Sequence, residues 1–574
     1  MSRDFDPLRN PSASPSSDAA PDSTAAERRL EALAQELGIT AGVDRRRFVK
    51  LAAGVAAGLG LAPGALGAAE LRARLSAAPP SSSPSREAFG RSLEIPLGNS
   101  EPPAFTFQAW PGGTGALLER LHREYGSALF EPTAMDVERW SGPVPSTEEE
   151  LAFLPVHRQA ALIKEGRLTP TELTEVYLDR IKRYDPVLLC AVTILEGRAR
   201  EEAQQAEADL RSDGWKGPLH GIPYGVKDLF TVRGTPTTWG SSDFQDQVID
   251  EDAEVVVRLR EAGAVLVAKL ATGEFARGDN WYRGQTKNPW NLEQGSSGSS
   301  AGPSSATAAG CVAFGIGTET QGSIISPARR CGLSALRPTF GRVSRHGGMV
   351  LAWSMDKVGP ICRTIEDCAL VFAAIHGSDE KDPSTLTTPF RFRRDIDLSN
   401  LVIAYEESAP ESFVEALGAL GADPRPLDEL PEGSSNALSV ESAAAFDFHV
   451  APQLEAAARA GEEPEEGRFT GGRDTSALDF VQSQRRRYAL QLEVDRALEG
   501  IDLFVSGGGQ IGLTNQTGHP SVVVPFDFDG DPAQPRTTML VGQPFADDAI
   551  LSVAHRYQTT TDWHRRHPDL SEIQ

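Results

Sequence analysis

Segments of helical periodicity alternate along this chain with short runs that are apolar at nearly every position, and that alternation leaves few folds open. ILEGRAREEAQQAEADL, DAEVVVRLREAG and TIEDCALVFAAIHG read as helices. Residues 149–165 and 170–184 also carry apolar side chains at helical spacing, the second opened by Thr169 as cap and Pro170 in the first turn. AVLVAKL, LVIAYE, DLFVSG and SVVVPF read as strands. A strand without a polar face is covered on both sides, so the pattern predicts an α/β layer structure, a central mixed β-sheet flanked by α-helices. No fixed-period repeat competes with this reading.

The densest chemistry lies between Lys227 and Ser323. Gly221-Ile222-Pro223-Tyr224-Gly225-Val226-Lys227-Asp228 puts a lysine at the end of a short strand bounded by glycines. Ser297-Gly298-Ser299-Ser300-Ala301-Gly302 is a small-residue loop leading into SSATAAGCVAFGIG, a stretch suited to a tightly packed, buried helix. A third loop, Gly317-Thr318-Glu319-Thr320-Gln321-Gly322-Ser323, opens into IISPAR. Small residues let backbone amides converge on a ligand, because glycine tolerates unusual dihedrals and allows close approach. A serine hydroxyl is a poor nucleophile until a base takes its proton, and lysine is such a base only when neutral. Its ordinary pKa of about 10.4 must therefore be lowered by burial, which a strand setting permits.

The ordered set of lysine strand, serine loop, Gly-Thr-Glu-x-x-Gly-Ser loop and CGLSALRPTFGRVSRHG, with NQTGHPSVVVP and TTDWHRRHP later on, closely resembles the amidase signature family over about residues 146–570. The resemblance implies the amidase signature fold and hydrolysis of a carboxamide through a serine acyl-enzyme, without metal or cofactor. It assigns Ser323 as nucleophile, Ser299 as the bridging cis-serine, Lys227 as general base, the amides of Thr320, Gln321, Gly322 and Ser323 as oxyanion hole, and Ser300 as loop support. Two glycines of the family pattern are replaced, by Ala301 and by Gln321, and the glutamine is expected to reshape the acyl pocket. Ile325 stands where many relatives have arginine. The same resemblance admits a glutaminase-type amidotransferase of the A type or a catalytically inactive binding protein; a Ser-His-Asp hydrolase is disfavoured because no GxSxG elbow is present. Ser323 also reads as a helix N-cap. His220, His519 and Asp228 are expected to be structural hydrogen bonders, and Cys331 a buried small hydrophobe.

Around this domain the chain changes character. Residues 1–43 are rich in Ser, Pro, Asp and Ala and are read as a disordered N-terminal extension. Residues 44–69, with Arg45-Arg46-Arg47-Phe48-Val49-Lys50 before LAAGVAAGLGLAPGALGAA, match a twin-arginine signal, so export to the periplasm or beyond is expected. Residues 70–145 read as a linker and an irregular segment, and residues 380–480 as a contributor to the substrate pocket. A formal charge of −24 repels a phosphate backbone, so the expected partner is a small-molecule amide and not nucleic acid. No obligate membrane association is expected once the signal is cleaved, and a homodimer stays open. Five cysteines without a CxxC pair indicate neither a disulfide framework nor a zinc site.

Overall fold

The computed structural model describes residues 107–574 except 111, 128–134, 213, 461–468, 572 and 574. The expected disordered region, the twin-arginine signal and the linker as far as residue 106 lie outside the described residues.

The strands are β1 Ala191–Ile194, β2 Pro223–Lys227, β3 Val265–Leu270, β4 Asn280–Trp281, β5 Gly284–Gln285, β6 Lys287–Asn288, β7 Asn291–Gly295, β8 Phe314–Glu319, β9 Ser334–Arg337, β10 Lys357–Cys362, β11 Ile403–Tyr405, β12 Arg425–Pro426, β13 Leu503–Ser506, β14 Ser521–Asp529 and β15 Gln534–Gly542. Eleven of them form one sheet in the order β1-β3-β2-β8-β10-β9-β14-β15-β13-β11-β12, while β4 with β5 and β6 with β7 are small separate pairs. β2 runs parallel to β3 and β8, and β11 parallel to β12 and β13. The remaining neighbours in the large sheet are antiparallel, as a mixed sheet requires.

Every residue of β2, β3 and β10 is buried, which is why none of them shows the apolar-polar alternation of a half-exposed strand. Helices cover both faces. Glu196–Ser212 is mostly polar and turns Ala199, Ala203 and Ala206 inward, small side chains at helical spacing. Pro170–Leu188 begins with a complete capping box in which Thr169 and Glu172 satisfy each other's backbone N–H. Thr364 caps Ile365–Ile375 through the N–H of Asp367.

Three local expectations need correction. The helical stretch 149–165 is two helices, Glu148–Phe153 and Val156–Lys164, because Pro155 has no N–H to donate and holds Leu154 in an extended conformation. SSATAAGCVAFGIG is helical only at its start: the buried helix Ala301–Ala308 ends before Gly310, whose φ of 64° reverses the chain, and Phe314–Gly317 belongs to β8. Within the segment read as irregular, Gly113–Tyr125 is a helix whose Leu117 and Leu121, four residues apart on one face, pack with Phe340 and Phe545.

Candidate active site

Parallel β2 and β8 end at the same edge of the sheet, and the polar cluster sits at that edge. Lys227, the last residue of β2, is fully buried. Its Nζ lies 2.7 Å from Ser299 Oγ, 2.8 Å from Thr318 Oγ1 and 3.5 Å from Thr318 O. No carboxylate lies within ion-pair distance of this amine among the described residues. Burial therefore pushes its pKa well below the ordinary lysine value, and the more distant Asp356 and Glu319 pull it back only in part.

The serine loop is tied to β8 by Ser300. Its hydroxyl donates to Thr318 O at 3.1 Å and accepts from Thr318 N at 3.3 Å, and its backbone N–H donates to Ser323 O at 3.1 Å. The last bond brings the backbone just after Ser299 up to Ser323. The Gly298–Ser299 peptide is cis. Gly298 has no room for a side chain: a Cβ there would lie 1.8 Å from Gly278 O.

Ser323 is half-buried, and its hydroxyl makes no hydrogen bond among the described residues. It is not the helix cap that its position suggested. Glu319 caps that helix instead, its Oε2 accepting the N–H groups of Ile324 and Ile325 at 2.8 and 2.9 Å. Its Oε1 accepts from Arg337 at 3.0 Å and from Asn515 at 2.7 Å. Burial pushes Glu319 up, but Arg337 and the backbone donors outweigh it and hold the carboxyl below its usual value. Gly322, at φ 97°, lets the chain turn between Glu319 and the helix Ile325–Arg330. The N–H groups of Gln321, Gly322 and Ser323 make no hydrogen bonds among the described residues, so all three donors stay free. Thr320 is anchored by its hydroxyl, which donates to Asp356 Oδ1 at 2.6 Å.

A cavity of about 370 Å³ opens beside Thr318 and Thr320. Leu229, Phe230, Met349, Leu351 and Trp353 supply its apolar wall, and Arg345, Lys381 and Asp382 contribute charge. Residues 380–383 lie in the expected 380–480 region; Gln321 does not line this cavity and its side chain is exposed, contrary to the expectation that it would shape an acyl pocket.

The residues expected to be structural are so. His220 is buried, with Nε2 2.7 Å from Ala206 O and Nδ1 accepting from Lys216 N. His519 Nδ1 lies 2.7 Å from Thr517 Oγ1. Asp228 accepts from Thr238 N and Oγ1 at 2.9 and 2.5 Å. Burial pushes the Cys331 thiol up, which keeps it protonated. Sequence reasoning missed the clamp made by Glu319, Arg337 and Asn515, the last of them 196 residues from Glu319. It also missed the buried Lys269, Asp356 and Lys357. A charged residue inside an apolar strand, as in AVLVAKL, was the available signal for Lys269.

A family model described as Amidase matches residues 172–417. The A subunit of glutamyl-tRNA(Gln) amidotransferase from Roseiflexus sp. (strain RS-1) is 33% identical over 477 residues, covering 71% of this chain and 96% of the relative. The solved structure of native peptide amidase from Stenotrophomonas maltophilia aligns with a TM-score of 0.64 at 28% identity, over 73% of this chain and 99% of that one. An amidase family protein from Bacillus anthracis str. Ames shares the fold with a TM-score of 0.66 at 24% identity, over 82% and 100% of the two chains. The chain belongs to the amidase signature family, whose members include amide-hydrolysing enzymes.

Proposed function

We propose that this protein hydrolyses a carboxamide C–N bond through an acyl-enzyme on Ser323. The observation that carries the reading is a fully buried lysine amine, 2.7 Å from the Ser299 hydroxyl and without a carboxylate partner among the described residues. Neutral Lys227 takes the Ser299 proton as Ser299 takes that of Ser323, and the freed alkoxide attacks the carbonyl carbon. Charge on the carbonyl oxygen is met by the N–H groups of Thr320, Gln321, Gly322 and Ser323. One such donor is worth about 3–4 kcal/mol in comparable sites. The proton returns through Ser299 to the leaving amine, and water then resolves the ester by the same relay. Ser300 holds the loop, and the apolar cavity beside Thr318 and Thr320 takes the apolar part of the substrate. No step draws on a metal or cofactor.

Labelling with a serine-directed fluorophosphonate tests the roles. Ser323→Ala is expected to take no label. Ser299→Ala is expected to be labelled slowly, with a water standing in for the missing hydroxyl. Mass spectrometry that finds the adduct on the peptide carrying Ser299, and none on the one carrying Ser323, overturns the assignment.

The 33% identity to the A subunit of a glutamyl-tRNA(Gln) amidotransferase favours a second reading, release of ammonia from glutamine for a partner enzyme. The Arg45-Arg46 motif argues against it, since we take that motif to direct export by the twin-arginine route. A reporter fused to residues 1–75 is expected to leave the cytoplasm, and to stay there when both arginines become lysine. Glutaminase activity of the purified chain with ammonia passed to a partner would favour the second reading.

A further inference from the structure

A second cavity lies beside the helix that follows Ser323. This space of about 590 Å³ is lined by Ser297 of the serine loop, by Ser326, Arg329 and Arg330 of that helix, and by Arg536 and Thr537 of β15, among others. None of its lining residues is acidic, in a chain with a formal charge of −24. Two of its arginines are already engaged: Arg536 faces Asp527 at 3.2 Å, and Arg330 donates to Gln294 Oε1 at 2.9 Å. Arg329 differs. It is half-buried, donates from Nε to Thr537 Oγ1 at 3.3 Å and from Nη2 to Gly507 O at 2.8 Å, and has no carboxylate within 4.0 Å among the described residues. Arg337 meets Glu319 at 3.0 Å and Arg345 meets Asp382 at 2.7 Å, whereas the buried Arg363 and Arg487 spend their donors on four and three carbonyl or hydroxyl oxygens; Arg329, with two such bonds, keeps more of its donors free. The backbone opposite is shaped to Arg329, since a Cβ on Gly508 would lie 1.7 Å from its Nη1.

Ser326, three residues after Ser323, and Ser297, two residues before Ser299, both line this cavity, and the Ser326 N–H donates to Gly322 O at 2.7 Å, so the cavity is walled by neighbours of both serines. A half-buried guanidinium without an acid suits a planar carboxylate, to which it donates two parallel bonds.

We infer that the cavity at Arg329 binds a carboxylate of the substrate, so that the preferred amide has an apolar half in the cavity beside Thr320 and a half ending in a carboxylate, a few carbons from the scissile bond, at Arg329. This rests on the amidase reading of Ser323. The carboxylate belongs either to the leaving amine, as in an N-acyl amino acid, or to the acyl part, as in a half-amide of a dicarboxylic acid.

The test measures kcat/KM for matched pairs: N-benzoylglycine against N-ethylbenzamide, and succinic acid mono-anilide against butyranilide. Wild type is expected to favour the acid in one pair, and the pair in which it does so tells the two sources apart. Arg329→Gln is expected to lower that preference about tenfold to a hundredfold, with Arg329→Lys in between. A preference unchanged by Arg329→Gln, or absent from both pairs in wild type, overturns the inference. Should the variants fail to fold, wild type alone decides: propionate is expected to inhibit hydrolysis of the neutral member competitively and propionamide to do so much less, and equal inhibition by the two counts against the site. Wild type that hydrolyses no member of either pair and takes no fluorophosphonate label instead sinks the amidase reading itself.

Discussion

Two buried lysines, one strand apart, have opposite surroundings. Lys227 ends β2 and Lys269 lies in β3, in a parallel register that sets Val226 beside Lys269 and Lys227 beside Leu270. Successive side chains of a strand alternate in direction, so the two amines leave the sheet on opposite faces. Both are fully buried. Lys269 meets Asp228 Oδ1 at 2.8 Å and Thr237 Oγ1 at 2.8 Å, whereas among the described residues the Lys227 amine bonds to Ser299 and Thr318 alone. Asp228 follows Lys227 directly and turns to the other face, where it neutralises Lys269 and not its own neighbour. Burial lowers the pKa of both, and Asp228 offsets that effect at Lys269. A buried lysine becomes a base where its counter-charge is withheld.

The largest expected effect separates the two by activity. Lys227→Met should lower kcat/KM on an aryl amide by about 10²–10⁴-fold while leaving a cooperative thermal unfolding transition. Near-native turnover would break the comparison at its functional end.

Lys269→Met should act on stability. It strands the Asp228 carboxylate in the core, at a cost of about 3–5 kcal/mol in denaturant unfolding. Lys269→Met combined with Asp228→Asn should cost less than the sum of the two single changes, because no unpaired charge remains. A double variant as unstable as that sum would mean that the pair is not coupled.

The pH dependence sharpens the contrast. In wild type kcat/KM should rise with pH as Lys227 loses its proton, through a value below the ordinary lysine range. Because folding holds that pKa down, the unfolded chain binds more protons between the depressed value and about 10.4, so this group makes unfolding free energy rise with pH in that window. Lys227→Met lacks the contribution. Its melting temperature should gain on wild type near pH 7, and the gain should shrink toward about pH 10. A gap that widens with pH would reverse the sign and argue for a charged Lys227.

The smallest effect is expected at Ser300, which neither lysine touches. Ser300→Ala removes the hydroxyl bonded to Thr318 and should cost about 1 kcal/mol in unfolding, with a modest fall in kcat. A collapse of activity as deep as that of Lys227→Met would give Ser300 a part in the proton path.

Much of this was legible in the chain. Strands such as Val265–Leu270 and Leu503–Ser506 fall within the apolar runs that announced them, because a residue buried on either face leaves no room for polar alternation. Lys227, Ser299 and Ser323 stood out through the small residues around them. Less legible was anything set by a partner far along the chain. Nothing near Glu319 says that its carboxylate, besides capping the helix that starts a few residues on, ties Arg337 to Asn515, since the latter lies 196 residues away. The helix Gly113–Tyr125 was missed for the same reason: its two buried leucines gain their meaning from Phe340 and Phe545.

By itself, then, the sequence determined the layer architecture, the order of the lysine strand and the two serine loops, and the kind of side chain each presents, because periodicity, glycine freedom and residue chemistry are local. Tertiary structure alone decided which of two lysines is deprived of an acid, what each buried arginine meets, and which donors on the loop before Ser323 stay free. Those outcomes depend on sheet register and on contacts closed across hundreds of residues, where a shift of one position exchanges the two faces of a strand and with them every neighbour a charge can find.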